Sequence, residues 1–223
     1  MTVLESLAKN VDVPSTKHIG HMGSHTQAAP LLPGSQLSNS HEKLTMPSHY
    51  GALPENMKLL ANDGQWFGNA DKNHRMSWVY SDDPDNPHGG FTFVYQLDVA
   101  QTPIDRMSFI ASAGIHASVA VVDFFYVGVN NGGFVAPSSI DRSSDGGTIG
   151  FNWDGGISLG ESGWSSTPAV VLYTDMKEFH VSRATFSYLG GDIQTANVLT
   201  GILKLPTLRQ QRHKVRHQQN PDN

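Results

Sequence analysis

The residues best equipped for chemistry sit in one turn, Asp82-Asp83-Pro84-Asp85-Asn86, where four oxygen-bearing side chains fall within five positions. Carboxylate and amide oxygens at that density are the donors a calcium ion takes. The run lacks the order of an EF-hand loop, which needs Gly at its sixth and Glu at its twelfth position, and Pro84 and Pro87 stiffen it. We read it as a solvated turn, with a calcium-assisted ligand site as the alternative. His18, His21 and His25 are spaced three and four apart, which on a helix would bring three imidazoles to one side for a transition metal. Gly20 and Gly23 interrupt any such helix, so these histidines read as part of an unstructured polar leader. Arg212-His213-Lys214-Val215-Arg216-His217 packs cations that would suit phosphate or an acidic surface. Without interleaved aromatics it reads as a solvated basic tail, not a nucleic-acid module.

Catalytic patterns are thinner. Gly160-Glu161-Ser162-Gly163-Trp164 sets a serine among glycines, but not at nucleophile-elbow spacing and with no helix predicted after it. No zinc-protease helix motif, phosphate loop or dinucleotide fingerprint occurs. Fifteen carboxylates between residues 61 and 200 leave a glycosidase pair open, yet nothing in their spacing singles out two of them. Asp141 and Asp145 flank Arg142, which predicts local ion pairing. Trp66, Trp78 and Trp164 would make a sugar-stacking face if exposed, although in a sandwich of this size most tryptophans are core. The sequence therefore assigns no catalytic, cofactor-binding or metal-ligating residue, and no cofactor is expected.

The elements that position these side chains are short and extended. From Gln65 onward, apolar stretches alternate with Gly, Asp, Asn, Pro and Ser at intervals of about ten residues, the rhythm of a sandwich or barrel. In Phe91-Thr92-Phe93-Val94-Tyr95-Gln96-Leu97 the residues Phe91, Phe93, Tyr95 and Leu97 share one face, and Thr92, Val94 and Gln96 the other. Further strands are predicted over 75–80, 106–112, 118–129, 148–153, 169–174, 179–188 and 198–205, each rich in β-branched or aromatic residues. The turns 82–90, 130–133, 145–147, 154–156 and 190–192 carry the Asn-Gly, Asp-Gly or Gly-Gly chemistry of tight antiparallel connections. The expected fold is an all-β antiparallel sandwich, of jelly-roll or Ig-like kind, over residues 61–205. Residues 1–60, with Pro14, Pro30, Pro33, Pro47 and Pro54 and no apolar period, are expected to be a mostly disordered leader, and 206–223 a flexible basic tail.

Composition fits that plan. A body of ~140 residues can bury about two thirds of its unfolded surface, so no staples are needed. None are on offer, because the chain has no cysteine, which excludes disulfides, thiolate metal sites and cysteine nucleophiles together. The net charge of −5 divides unevenly, with residues 61–200 carrying six basic and fifteen acidic groups. An acidic body disfavours nucleic acid and anionic membrane as partners. No stretch reaches the 18 apolar residues of a membrane-spanning helix.

The run Asn86-Pro87-His88-Gly89-Gly90-Phe91-Thr92-Phe93-Val94-Tyr95-Gln96-Leu97 resembles the "NP-x-GG-hydrophobic-TF-x-YQL" opening strand of exported bacterial proteins that carry PEP-CTERM sorting signals. The likeness continues through Ile104-Asp105-Arg106-Met107, Ala136 to Ser143, Gly146 to Phe151, Ile157 to Ser162 and Val170 to Asp175, covering about residues 61–195. It implies an exported β-sandwich of surface or matrix material, extracellular or at the cell surface, with no family catalytic residues to carry over. Such proteins begin with a signal peptide and end with a Pro-Glu-Pro motif, an apolar helix and a basic cluster. Here Glu5 stands where the basic region of a signal peptide would be, and residues 207–223 keep only the basic character. The expected function is a non-catalytic surface, matrix or adhesion domain, with polysaccharide or cell-envelope components as partners. The alternatives are a carbohydrate-binding module, calcium-assisted through Asp82 to Asn86, and, behind it, a hydrolase.

Overall fold

Alternating side-chain direction and glycine-rich corners give thirteen strands in the computed structural model, which describes residues 28–38, 57–68, 72–100, 103–122, 135–160 and 163–202. In chain order they are β1 (Ala29–Pro30), β2 (Gln36–Ser38), β3 (Lys58–Phe67), β4 (Asn73–Ser81), β5 (Thr92–Val99), β6 (Ile104–Ile110) and β7 (Ala117–Val122). They continue with β8 (Ser139–Arg142), β9 (Thr148–Asn152), β10 (Ser165–Ser166), β11 (Ala169–Thr174), β12 (Glu178–Tyr188) and β13 (Ile193–Ile202). The first sheet runs β1-β7-β11-β5-β4-β3, with β10 added to β5. The second runs β13-β12-β6-β9-β8-β2. Every pairing is antiparallel, so the chain is an all-β sandwich, and no helix occurs among the described residues.

The core lies between the sheets. Phe93, Tyr95 and Leu97 of β5 meet Met107 and Phe109 of β6, Ile149 and Phe151 of β9, and Phe186 of β12. Tyr95, Phe109 and Phe151 form an aromatic trio with centroids 4.9 to 5.8 Å apart. Full burial of each such side chain stabilises the fold by roughly 1.5–3 kcal/mol. The Tyr95 hydroxyl donates across the core to the Leu199 carbonyl at 2.9 Å, and burial pushes its phenol far above the ordinary range.

Each edge of the sandwich is closed by a specific device. At one edge, residues 28–38 cross between the layers: β1 pairs with β7 in the first sheet and β2 with β8 in the second. The crossing is fixed by Arg142, only 3% exposed, whose guanidinium donates to the carbonyls of Leu31, Ala113, Ile115 and Gly146 at 3.0–3.1 Å. Burial lowers its pKa, and four carbonyl acceptors take the place of a counter-ion. Gly146, at φ 72°, turns β8 into β9; a Cβ there would lie 2.7 Å from the Ala113 carbonyl oxygen. At the other edge β13 lies against β3 and β4. Its outward N–H groups on Asn197 and Leu199 are capped by Gln65 Oε1 (2.9 Å) and Ser77 Oγ (3.2 Å). Unpaired donors on an edge strand invite pairing with another chain, and these two are used internally.

The described residues of the body expected over 61–205 lie in the sandwich, but the leader expected over 1–60 needs correction where it is described. Residues 28–38 and 57–60 belong to the sheets. Proline there acts as an edge residue rather than a breaker, since Pro30 sits on the outermost strand, where a missing N–H costs no internal bond. The remainder of 1–60, the turn 130–133 and the tail beyond 202 lie outside the described residues. Strands β4, β5, β6, β7, β9, β11, β12 and β13 answer to predicted ones. Strands β1, β2, β3, β8 and β10 were not expected; β1, β2, β8 and β10 run two to four residues, too short to show a period, and the ten-residue β3 carries Asn62-Asp63-Gly64 at its middle, a run that reads as a turn.

Candidate functional site

Register across the first sheet brings four chemically distinct residues into one transverse row. Trp66 on β3 stands opposite His74 on β4, His74 opposite Asp98 on β5, and Asp98 opposite Ser166 on β10. All four face outward, because they share the parity of Val94 and Trp78 and not that of the core residues Phe93 and Val79. Ser166 Oγ donates to Asp98 Oδ1 at 2.6 Å, and His74 Nδ1 lies 3.9 Å from Asp98 Oδ2. The Trp66 indole stacks on the His74 ring with centroids 4.5 Å apart.

Trp164, two residues before Ser166, reaches back across the row to meet Trp66 edge-on with centroids 6.2 Å apart. Its loop is set by short-range bonds: Gly160 N donates to Ser165 Oγ (3.0 Å) and to the Trp164 carbonyl (3.0 Å). Trp66 remains 46% exposed. Gly64, on the same face as Trp66 and also exposed, leaves a shelf beside it; a Cβ at that position would come within 3.1 Å of His74 Nε2. Of the three tryptophans weighed for sugar stacking, Trp66 and Trp164 therefore come together, while Trp78 is buried in an apolar cluster elsewhere on the same face.

A second group lies at the opposite end of that face. His88 Nε2 is 2.9 Å from Ser118 Oγ, His116 Nδ1 is 2.7 Å from Asp175 Oδ2, and the two imidazoles stack at 6.4 Å. Burial lowers the pKa of His88, with Asp175 opposing and His116 reinforcing the shift.

The acidic turn is described in full and its oxygens are engaged internally. Asp83 accepts from Thr92 Oγ1 (2.6 Å) and from Asp85 N (3.0 Å). Asn86 donates to the carbonyls of Gly90 and Thr174 and accepts from His88 N. Asp82 pairs with Lys58 at 3.3 Å; hydrogen bonds from Lys58 and Ser81 hold its carboxyl below the usual range. Among the described residues no group of three or more His, Asp or Glu side chains converges as a metal site. His18, His21, His25, Glu161, Ser162 and the 212–217 run lie outside the described residues.

The expected pairing of Arg142 with Asp141 and Asp145 is overturned. Adjacent strand residues point to opposite faces, so Arg142 enters the core while Asp141 faces outward. Asp141 instead forms a bidentate pair with Arg106 (2.5 and 2.9 Å) and accepts from Asn152 Nδ2 at 2.7 Å. Burial alone would raise the Asp141 carboxyl, but the bonds from Arg106 and Asn152 outweigh it and hold the pKa low. Asp145 accepts from Ser143 Oγ and Gly147 N.

Sequence reasoning passed over His74, Asp98 and Ser166. One signal was present: Asp98 is a charged residue within the apolar strand Val94-Tyr95-Gln96-Leu97-Asp98-Val99, and a buried acid needs partners. No family model matches the chain, and no curated protein or solved structure matches it either.

Proposed function

We propose that this sandwich is a non-catalytic surface, matrix or adhesion-type domain, exported to the cell surface or beyond, as its resemblance to PEP-CTERM proteins implies. One observation carries the non-catalytic part of the reading. In the outward row the carboxylate of Asp98 stands between Ser166 and His74, so the serine proton is held by an acid and not by an imidazole. Nucleophilic catalysis needs the reverse order, with histidine taking the serine proton and the acid orienting histidine. The second group divides the same elements between two rings, serine on His88 and aspartate on His116, and Ser118 is buried. Hydrogen bonding of this kind rigidifies a surface without activating a nucleophile.

The test is co-sedimentation of the purified protein with cell-envelope and insoluble polysaccharide fractions, alongside hydrolase assays on ester and glycoside substrates. Enrichment without turnover is the expected result. Turnover abolished by Ser166→Ala or His74→Ala would replace the reading with a hydrolase, and absence of enrichment in every fraction would remove the adhesive role.

A further inference from the structure

We infer that Trp66, Trp164 and the Gly64 shelf beside His74 form a binding site for a neutral, flat pyranose chain of the cellulose or mannan type. The inference rests on the non-catalytic reading and gives it a ligand. Three observations support it. First, Trp66 is 46% exposed although it is the largest side chain type, and its ring is locked against His74 (4.5 Å) and Trp164 (6.2 Å). A rigid aromatic surface loses little conformational entropy when a ligand stacks on it, and the C–H faces of pyranose rings are the apolar surfaces that stack on indole.

Second, the aromatic surface borders hydrogen-bonding groups. His74 Nε2 edges the gap left by Gly64, and on the far side of the imidazole Nδ1 lies 3.9 Å from Asp98 Oδ2, a carboxylate that also accepts from Ser166 Oγ at 2.6 Å. A few placed polar groups around an apolar platform are what orient a hydroxyl-bearing ligand. Third, the sign of charge selects the class. Residues 61–200 carry six basic against fifteen acidic side chains, and the row itself contributes Asp98, so polyanionic glycans and nucleic acids are repelled while a neutral chain is not.

The experiment titrates the full-length protein with cellohexaose and with mannohexaose, followed by tryptophan fluorescence and calorimetry. Saturable binding to at least one is expected. Trp66→Ala should weaken it about tenfold or more, as removal of a central aromatic anchor does, and Trp164→Ala and Gly64→Val should weaken it in the same direction. Circular dichroism and melting of each variant establish that the fold is kept; Trp66→Phe, which retains a ring, should recover part of the affinity. Absence of binding to both probes overturns the saccharide assignment. Binding left unchanged in folded Trp66→Ala and Trp164→Ala overturns the site. Release of reducing ends from either probe would instead overturn the non-catalytic reading while leaving the site in place, so the two failures are told apart.

Discussion

The outer faces of the two sheets follow the same alternation and end in opposite environments. On the second sheet the outward positions are Arg106, Ser108 and Ile110 of β6, Thr148, Gly150 and Asn152 of β9, and Thr185 and Ser187 of β12. Of these Gly150 alone is buried, beneath the Arg106 guanidinium, and Ile110 is 69% exposed. On the first sheet the outward positions include Trp78, Tyr80, Val94, Val171, Tyr173 and Ala120, all buried, with Met57, Leu59 and Ala28 packed on them among the described residues. A sheet buried on both faces reads as a near-continuous apolar run, and a sheet wetted on one face reads as strict alternation. The difference teaches that the first sheet is buried on both faces around Trp78, Val94 and Val171 while staying open at Trp66, whereas the second sheet is wetted along its outer face.

Substitutions that place the same change on each face would break or sharpen this contrast. Val171→Asp sets an uncompensated charge in the buried outer layer and is expected to cost roughly 3–5 kcal/mol, enough to unfold a domain of ordinary stability. Ser108→Asp, at an outward position of the second sheet, should stay within about 0.5 kcal/mol. Urea unfolding of the pair measures both; equal losses would erase the distinction.

A smaller effect of opposite sign is expected at Tyr80. Its hydroxyl is buried with no hydrogen-bond partner among the described residues, and burial raises its phenol pKa far above the ordinary range. Tyr80→Phe removes that unpaired group and should raise stability by about 1 kcal/mol. A loss of similar size would show that the hydroxyl has an acceptor.

On the second sheet, Asp141→Asn breaks the bidentate pair with Arg106 at a half-exposed site. The expected loss is about 1 kcal/mol or less, shrinking further in high salt. Because the folded carboxyl titrates below its ordinary value, this contribution is present above about pH 3.9 and disappears as the pH falls through the folded-state pKa. A loss that persists at acid pH would place the effect in packing instead.

The smallest expected effect is a pH slope at the end of the first sheet. His88 is neutral by preference in the folded protein, since burial lowers its pKa, and His180 is shifted the same way by the same cause. Stability from His88 is therefore full above the unfolded value of about 6.5 and declines as the pH drops below it toward the folded-state pKa. Melting temperatures of His88→Gln below pH 6.5 should fall less steeply than those of the parent chain. Parallel curves would assign the slope to other groups.

Much of this architecture is legible in single stretches of sequence. Phe93, Tyr95 and Leu97 do share the core face, as their alternation indicates. The turns at 145–147 and 190–192 do join paired strands, β8 to β9 and β12 to β13. The turn at 154–156 differs: it leads from β9 in the second sheet toward β10 in the first, so the same Asp-Gly-Gly chemistry serves a change of layer. Val94 and Trp78 show what alternation leaves undecided, since period two states that two faces exist and not whether the second is wet.

Sequence by itself determined that backbone angles and side-chain direction favour extended strands with tight glycine corners, because those preferences act between neighbouring residues. Tertiary structure alone decided which strands lie side by side. Trp66, His74, Asp98 and Ser166 are scattered over a hundred positions, and only the register of four strands sets them in one row. Pairing between distant strands depends on which buried surfaces fit and which edge groups find partners, and that is a property of the assembled sandwich and not of any one segment.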